Sequence, residues 1–460
     1  MKIKILSAAF LVSCLAFSSA GEPYRDGDVV VFFGDSITHG GRYHEFVTDF
    51  YRTRFPDAKI RFVNSGIGGD NAHDALKRIP EDVAEYAPTH VAFHFGMNDV
   101  DRGAYLAEST SDTLRRREWA QTCYRYNFKA LAEAVRNVAP NAAFTYLTPT
   151  LYDDTAVITN GPTTGWKSVN QVGCNTGLSL MSGFVLASAD ADKAQGVDWF
   201  SPLNAFTLRH RKGNPCFSVV VSDRVHPDAL GHAVMAWTFL KAQGVPATVS
   251  DVEIDAASAR AVRADNAAVS DVAATDGGIA FKLLAKALPF PVPSEALPYA
   301  DEFGLAETLN RETVKVTGLA EGAYVLAIDG IEVGRYTAAE FAKGISLGFN
   351  PKTPQYAQAQ AVAQRVAELT GFESILRNHH SARWFFFGKA SVDDIPAFRK
   401  WYEERKGKPN GFDAYFGAFI PGYLDYWPHY REVRAKLWSD QDAVRALAKP
   451  VPRTYLIQRR

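Results

Sequence analysis

The feature that most constrains this chain is a rhythm. From Asp26 to about Gly244, short β-branched and aromatic runs alternate with helical stretches, and each run stops in a polar loop. Val29-Val30-Val31-Phe32-Phe33 stops at Gly34-Asp35-Ser36-Ile37-Thr38-His39-Gly40, and Ile60-Arg61-Phe62-Val63-Asn64 runs into Ser65-Gly66-Ile67-Gly68-Gly69-Asp70. His90 to Phe95 stops at Gly96-Met97-Asn98-Asp99, and Ala142 to Leu147 reads as a fourth strand. Arg42 to Phe55, Asn71 to Tyr86 and Glu118 to Val138 read as helices, with Pro80 a break or kink in the second. Apolar runs without alternation are strands buried on both faces. The pattern therefore predicts an α/β domain, a parallel sheet covered by helices, whose strand ends share one edge.

Residues 150–215 lack a clear period and include Trp166 and Trp199. A connection that long is either a functional cover or a passive excursion over apolar surface; the first reading makes it a specificity wall over the sheet edge. Phe217 to Val221 then reads as a strand ending at Ser222-Asp223-Arg224-Val225-His226-Pro227, and Asp228 to Gln243 as the closing helix. Beyond Val249 the composition changes. Gly278 to Leu284, Thr313 to Val316 and Tyr324 to Ile328 read as strands, and Asp329-Gly330 as a hairpin turn into Ile331-Glu332-Val333. Gln355 to Leu369, Val392 to Arg405 and Tyr423 to Ala448 are helical. The expected organisation is a signal segment over 1–20, an α/β domain over 21–248, a small antiparallel β-module over 249–345 and a helical region over 346–460.

Ser36, at the mouth of the first strand, is a nucleophile only if a base and oxyanion donors are at hand. Asp223-x-x-His226 supplies a base whose tautomer a carboxylate can fix and whose cationic form it can stabilise. His232 is the alternative base, but it falls inside the predicted closing helix. Gly69 can offer a backbone N–H without an obstructing Cβ, Asn98 a side-chain amide, and Ser36 its own N–H. Asp35, Asp70 and Asp99 read as structural acceptors for loop N–H groups and His94 as a core residue. The adjacent His379-His380 pair diverges on any regular element, and no spacing of Cys, His and carboxylates suggests a metal site. The simplest competing reading of Gly34-Asp35-Ser36 is a turn capping a helix.

In order along the chain, Gly34-Asp35-Ser36, the glycine of Gly68-Gly69-Asp70, Gly96-x-Asn98-Asp99 and Asp223-x-x-His226-Pro227 resemble the four sequence blocks of the SGNH or GDSL hydrolase superfamily, over roughly residues 27–244. The resemblance implies a flavodoxin-like three-layer α/β/α sandwich and a catalytic triad of Ser36, His226 and Asp223. It also implies an oxyanion hole of the Ser36 N–H, the Gly69 N–H and the Asn98 side chain, with no cofactor and no metal. Arg224 departs from the small or apolar residue usual between Asp and His; it either faces solvent or holds a substrate carboxylate. The β-module and the helices after it resemble a C-terminal extension of secreted bacterial SGNH enzymes. The G-x-S-x-G elbow of the larger α/β-hydrolase group is absent.

Acidic and basic residues nearly cancel, 51 against 50, which gives no electrostatic case for nucleic acid or an anionic membrane as partner. Lys2 and Lys4, the apolar stretch Ile5 to Phe17 and Ser18-Ser19-Ala20 read as an export signal too short to span a bilayer. Lipid anchoring at Cys14 ranks second. In an oxidising compartment Cys123, Cys174 and Cys216 allow one disulfide, Cys174–Cys216 being the pair within one region, or stay as three thiols. The aromatic cluster Tyr415 to Tyr430 either stacks sugar rings or glues the C-terminal helices together. The expected function is a secreted serine esterase acting on O-acyl, chiefly acetyl, esters of a carbohydrate or small molecule. Its rivals are a lipase, lysophospholipase or thioesterase for longer chains, and a carbohydrate-binding protein on an inactive hydrolase scaffold.

Overall fold

The structure is a computed structural model that describes residues 21–106, 109–158, 169–220, 222–408 and 414–460. The expected export signal, Cys14 and Trp166 lie outside the described residues. Five strands form the first sheet: β1 (Val29–Gly34), β2 (Arg61–Gly66), β3 (His90–His94), β4 (Ala143–Leu147) and β5 (Gln195–Val197). Their order is β2-β1-β3-β4-β5, and all neighbours are parallel. Val30, Val31, Phe32 and Phe33 are fully buried, as expected of a strand covered on both faces. The chain leaves β1 toward β2 and returns on its other side as β3. The crevice at the carboxyl ends of β1 and β3 is therefore the topological switch point, where open α/β sheets bind ligands.

Three segments of this domain differ from expectation. Residues 150–215 hold the helix Cys174–Asp192, the edge strand β5 and the helix Phe200–Arg211, so they continue the α/β winding. Their period is hidden because the inward face of Cys174–Asp192 includes Gly177, Ser182 and Ser188 beside Leu178, Met181 and Val185. Trp199 is buried against Tyr43 and His94, with Nε1 donating to Met235 O, so it is core and not a wall. Phe217–Val220 forms no strand, because the carbonyls of Val219 and Val220 accept from Asp228 and Arg224 of their own following turn. Asn71 to Tyr86 breaks at Pro80 into the short helical turns Asp74–Arg78, Ile79–Asp82 and Ala84–Tyr86.

The C-terminal strands are β6 (Thr248–Asp255), β7 (Arg260–Asp265), β8 (Ala267–Thr275), β9 (Gly278–Ala285), β10 (Arg311–Thr317), β11 (Ala323–Ile328), β12 (Ile331–Thr337), β13 (Ile345–Ser346) and β14 (Arg453–Arg459). They form the sheets β13-β10-β6-β7 and β12-β11-β14-β9-β8. All pairs are antiparallel except β6 with β10. The turn between β11 and β12 puts both Asp329 and Gly330 at positive φ, as a tight hairpin requires. Val252, Ile254, Phe281, Val316, Leu326 and Ile457 meet in the core between the sheets. β14, at the end of a region expected to be helical, lies mid-sheet between β11 and β9. The helices before it are thus tethered at both ends to the β-module. The first of them, Pro354–Phe386, runs well past the expected Leu369 and packs on the α/β domain at the helix Tyr43–Arg54.

Candidate active site

Ser36 opens a one-turn helix, Ser36–Gly40, that starts directly from the end of β1. Asp35 is its N-cap, Oδ1 accepting from Ile37 N at 2.9 Å, so the capping expected of this motif coexists with a serine at the helix mouth. The helix presses onto the end of β2. A Cβ at Gly66 would lie 2.1 Å from His39 N, so only glycine permits this approach.

His226 Nε2 is 2.8 Å from Ser36 Oγ, and His226 Nδ1 is 2.7 Å from Asp223 Oδ2. Asp223 Oδ1 accepts from the backbone N–H groups of Val225 and His226 at 3.0 and 2.9 Å. Burial pushes the Asp223 carboxyl upward, but the hydrogen bond and charge of His226 and the two backbone N–H groups outweigh it. Together they hold the group well below the usual carboxylate range. An ionised Asp223 fixes Nδ1 as the proton-bearing nitrogen and leaves Nε2 to accept from Ser36. His232 sits in the helix Ala229–Ala242, buried and stacked on Tyr43. Arg224 occupies a left-handed backbone position, φ 70°, with its Nε buried; its charge acts on the Tyr152 phenol, so the side chain does not simply face solvent.

Gly69 has φ 80°, a conformation glycine adopts without strain. Its loop is held from both sides. The Gly68 N–H donates to His39 Nδ1 at 3.1 Å, and His39 Nε2 donates to Ser374 O at 3.1 Å. Burial, then the nearby Arg377 charge, lowers the His39 imidazole to about 4, so it is neutral at pH 7 and can accept through Nδ1. On the other side Asn98 Nδ2 donates to Asp70 O at 2.7 Å, while Arg102 donates to Asn98 Oδ1 at 3.1 Å. Asn98 keeps a second N–H on the same nitrogen. The structure thus gathers Ser36, His226 and Asp223 into one hydrogen-bonded line and ties the Gly69 and Asn98 loops to each other and to the Ser36 helix.

Behind these loops lies a buried charge network. Arg78 donates to Asp70 at 2.6 Å, to Asp82 at 2.8 Å, to Ser65 O at 2.6 Å and to Gly34 O at 2.9 Å. Arg377, from the C-terminal helix Pro354–Phe386, clamps both oxygens of Asp82 at 2.8 and 2.7 Å and donates to Gly66 O at 3.1 Å. Burial opposes the charge on Asp82, yet the two guanidiniums hold it well below the usual carboxylate range. Asp35 and Asp99 accept from loop N–H groups, and Asp70 accepts both from the Asn71 N–H and from the Arg78 side chain. His39, Arg78, Arg102 and Arg377 were not singled out by sequence reasoning. His39 could have been, since it lies in the Ser36 stretch itself; Arg377 carries no local signal.

His94 is buried beside Asp35, and burial lowers it to about 3. His379 and His380 sit on the long helix against Tyr426. Among the described residues no group of three or more His, Cys, Asp or Glu could hold a metal, and no helix is long and apolar enough to cross a membrane. Cys123, Cys174 and Cys216 are all free thiols, Cys174 buried and Cys216 exposed, so the pairing of these two is not formed.

Comparison with known proteins adds to this geometry. Residues 32–234 match the GDSL-like lipase/acylhydrolase family. An acetylxylan esterase of Geobacillus stearothermophilus is 34% identical over 91 residues, and the chain spans only 42% of the length of that curated relative. A gut microbial diltiazem-metabolizing enzyme has a solved structure that is 29% identical, with a TM-score of 0.85, covering 96% of this chain and 99% of that chain. The structure of the Geobacillus stearothermophilus acetylxylan esterase is 23% identical, with a TM-score of 0.38, covering 49% of this chain and 97% of that chain.

Proposed function

Because residues 32–234 belong to the GDSL-like lipase/acylhydrolase family, we propose that the protein is a serine esterase that removes short acyl groups, chiefly acetyl, from oxygen esters. The observation that carries this reading is the line from Asp223 through His226 to Ser36, with contacts of 2.7 and 2.8 Å. In this reading His226 Nε2 takes the Ser36 proton as Oγ attacks the ester carbonyl. Asp223 stabilises the imidazolium, and the Ser36 N–H, the Gly69 N–H and Asn98 Nδ2 receive the developing oxyanion. His226 returns the proton to the departing alcohol, leaving an acyl-serine. Water, deprotonated by the same imidazole, then releases the acid and restores Ser36.

The acetyl preference rests on the activity of one relative, an acetylxylan esterase. The alcohol is a carbohydrate or another small molecule. The full-length likeness to a diltiazem-metabolizing enzyme favours including the second class. Export through residues 1–20 belongs to the same proposal; the mature protein then begins at Gly21, which intact mass of the exported protein checks. The experiment that tests the esterase is acetate release from acetylated xylan, acetylated monosaccharides and diltiazem, run beside an acyl-chain series from acetyl to dodecanoyl. Fast release at the short end supports the reading. A preference for long chains makes the protein a lipase instead, and no release from any ester, with no fluorophosphonate labelling of Ser36, leaves only the binding-protein reading.

A further inference from the structure

The aromatic cluster over Tyr415 to Tyr430 divides into two parts that do different things. Ile420, Tyr423 and Leu424 are buried, with the Tyr423 hydroxyl donating to Val392 O, and Trp427 stacks on Tyr430 beneath Arg383. These rings hold the C-terminal helices together. Phe416 packs on the margin of that core, and Tyr415 stands at its outer edge, edge-on to Phe419 at 5.3 Å. Tyr415 is 61% exposed, and Phe416 is stacked on Phe385 at 4.2 Å, with the Tyr415 ring edge-on to Phe416 at 5.1 Å. Both rings face the loop assigned above to the oxyanion. A methyl group added at Gly69 would lie 3.7 Å from Phe416 Cζ, and one added at Gly68 would lie 3.8 Å from the Tyr415 hydroxyl.

We propose that Tyr415 and Phe416 form a stacking wall for a ring carried by the alcohol half of the ester, which makes the C-terminal region the specificity element of the site. An exposed tyrosine gains nothing for the fold by being left uncovered, whereas against a substrate ring it supplies a broad apolar face and a polar tip. The acyl side cannot supply that ring. An acetyl group ends one carbon beyond the carbonyl, so a ring within reach of these side chains is on the alcohol. A pyranose with its axial C–H face and an aryl group with its π-face both fit such a wall. This inference rests on the esterase reading above and adds the class of alcohol to it.

The test compares kcat/KM of the full chain on three acetates: ethyl acetate, which has no ring, benzyl acetate, and an acetylated methyl xyloside. In Tyr415→Ala and in the Tyr415→Ala/Phe416→Leu double variant, kcat/KM for a ring-bearing acetate falls by about 10-fold relative to ethyl acetate, the size expected of one or two ring contacts. Tyr415→Trp keeps the wild-type ratio. Loss confined to the xyloside or to the benzyl ester supports the wall and identifies its natural ring. Equal losses on all three esters, which a merely structural role produces, overturn the proposal, as does an unchanged ratio. A wild-type protein inert toward all three ends the esterase reading and this inference with it, whereas an active wild type with flat ratios ends the wall alone.

Discussion

Two clusters of charge meet at the carboxyl end of the sheet, and they are built on opposite terms. In the first, Ser36, His226 and Asp223 leave the imidazole about one-third exposed, and its proton can move. In the second, Asp70, Arg78, Asp82 and Arg377 are almost fully buried, with two carboxylates against two guanidiniums and hydrogen bonds to Gly34 O, Ser65 O and Gly66 O. A buried ion pair is tolerable only when its charges balance and its donors are used, and this one meets both conditions. The loops that carry the chemistry on one side are therefore anchored on the other by a buried network of ion pairs. Rigidity behind the site and mobility of one proton within it are supplied by different parts of the chain, residues 70–82 with Arg377 on one side and Ser36, Asp223 and His226 on the other.

This contrast makes the clusters separable by mutation. The largest effect falls on the open cluster. Ser36→Ala loses at least about three orders of magnitude in turnover of an acetate ester while the melting temperature stays at the wild-type value. Retained activity there would remove the distinction altogether. Arg377→Ala does the reverse. It leaves Asp82 short of a partner in a buried site, so chemical denaturation should show a loss of about 3–5 kcal/mol, with turnover at low temperature reduced only as far as the Gly66 to Gly69 loop loosens. If stability is unchanged and only turnover falls, the second cluster is part of the catalytic machinery and the two are one.

The smallest effect concerns pH. Glu373, which accepts from Asn64 N and lies one helical turn before Arg377, is raised by burial to about 7. Its folded value lies above its unfolded one of about 4.3. Its contribution to stability is therefore complete below about pH 4 and is lost as pH rises through about 7. Glu373→Gln keeps an acceptor for Asn64 and removes the titration, so the decline in melting temperature over that window should flatten. Asp82 and Asp223 have the opposite sign. Both are held below the usual carboxylate range, so what they contribute is present at neutral pH and is lost only as pH falls through those low values. An unflattened curve in the glutamine variant would place the pH response elsewhere, in Asp35 or Asp99, which burial also raises to about 7.

Much of the α/β domain was legible because local pattern and long-range environment agree there. The run Val29 to Phe33 could hardly be anything but a strand buried on two faces. The segment 150–215 was illegible because small and polar residues on the inward face of Cys174–Asp192 erase the helical period, and Phe217–Val220 misled because apolar residues can be buried without pairing as a strand. The missed β14 is separated by about 125 residues of chain from its partner β11. Its place is decided by that partner and not by its own composition.

The sequence by itself determined the order and the chemistry: an apolar run ending in Gly34-Asp35-Ser36, a carboxylate three residues before His226, a glycine and an amide at two further strand ends. Those residue types at those spacings are dictated by sterics and hydrogen-bonding capacity, which are local properties. Only the tertiary structure decided what stands behind and beside them. That Arg377 clamps Asp82 across 295 residues of chain, that Ser374 orients His39, and that Tyr415 and Phe416 face the Gly68-Gly69 loop all depend on how a distant helical region packs onto the sheet edge. Packing is a property of complementary surfaces, and neither surface is written in the residues of the other.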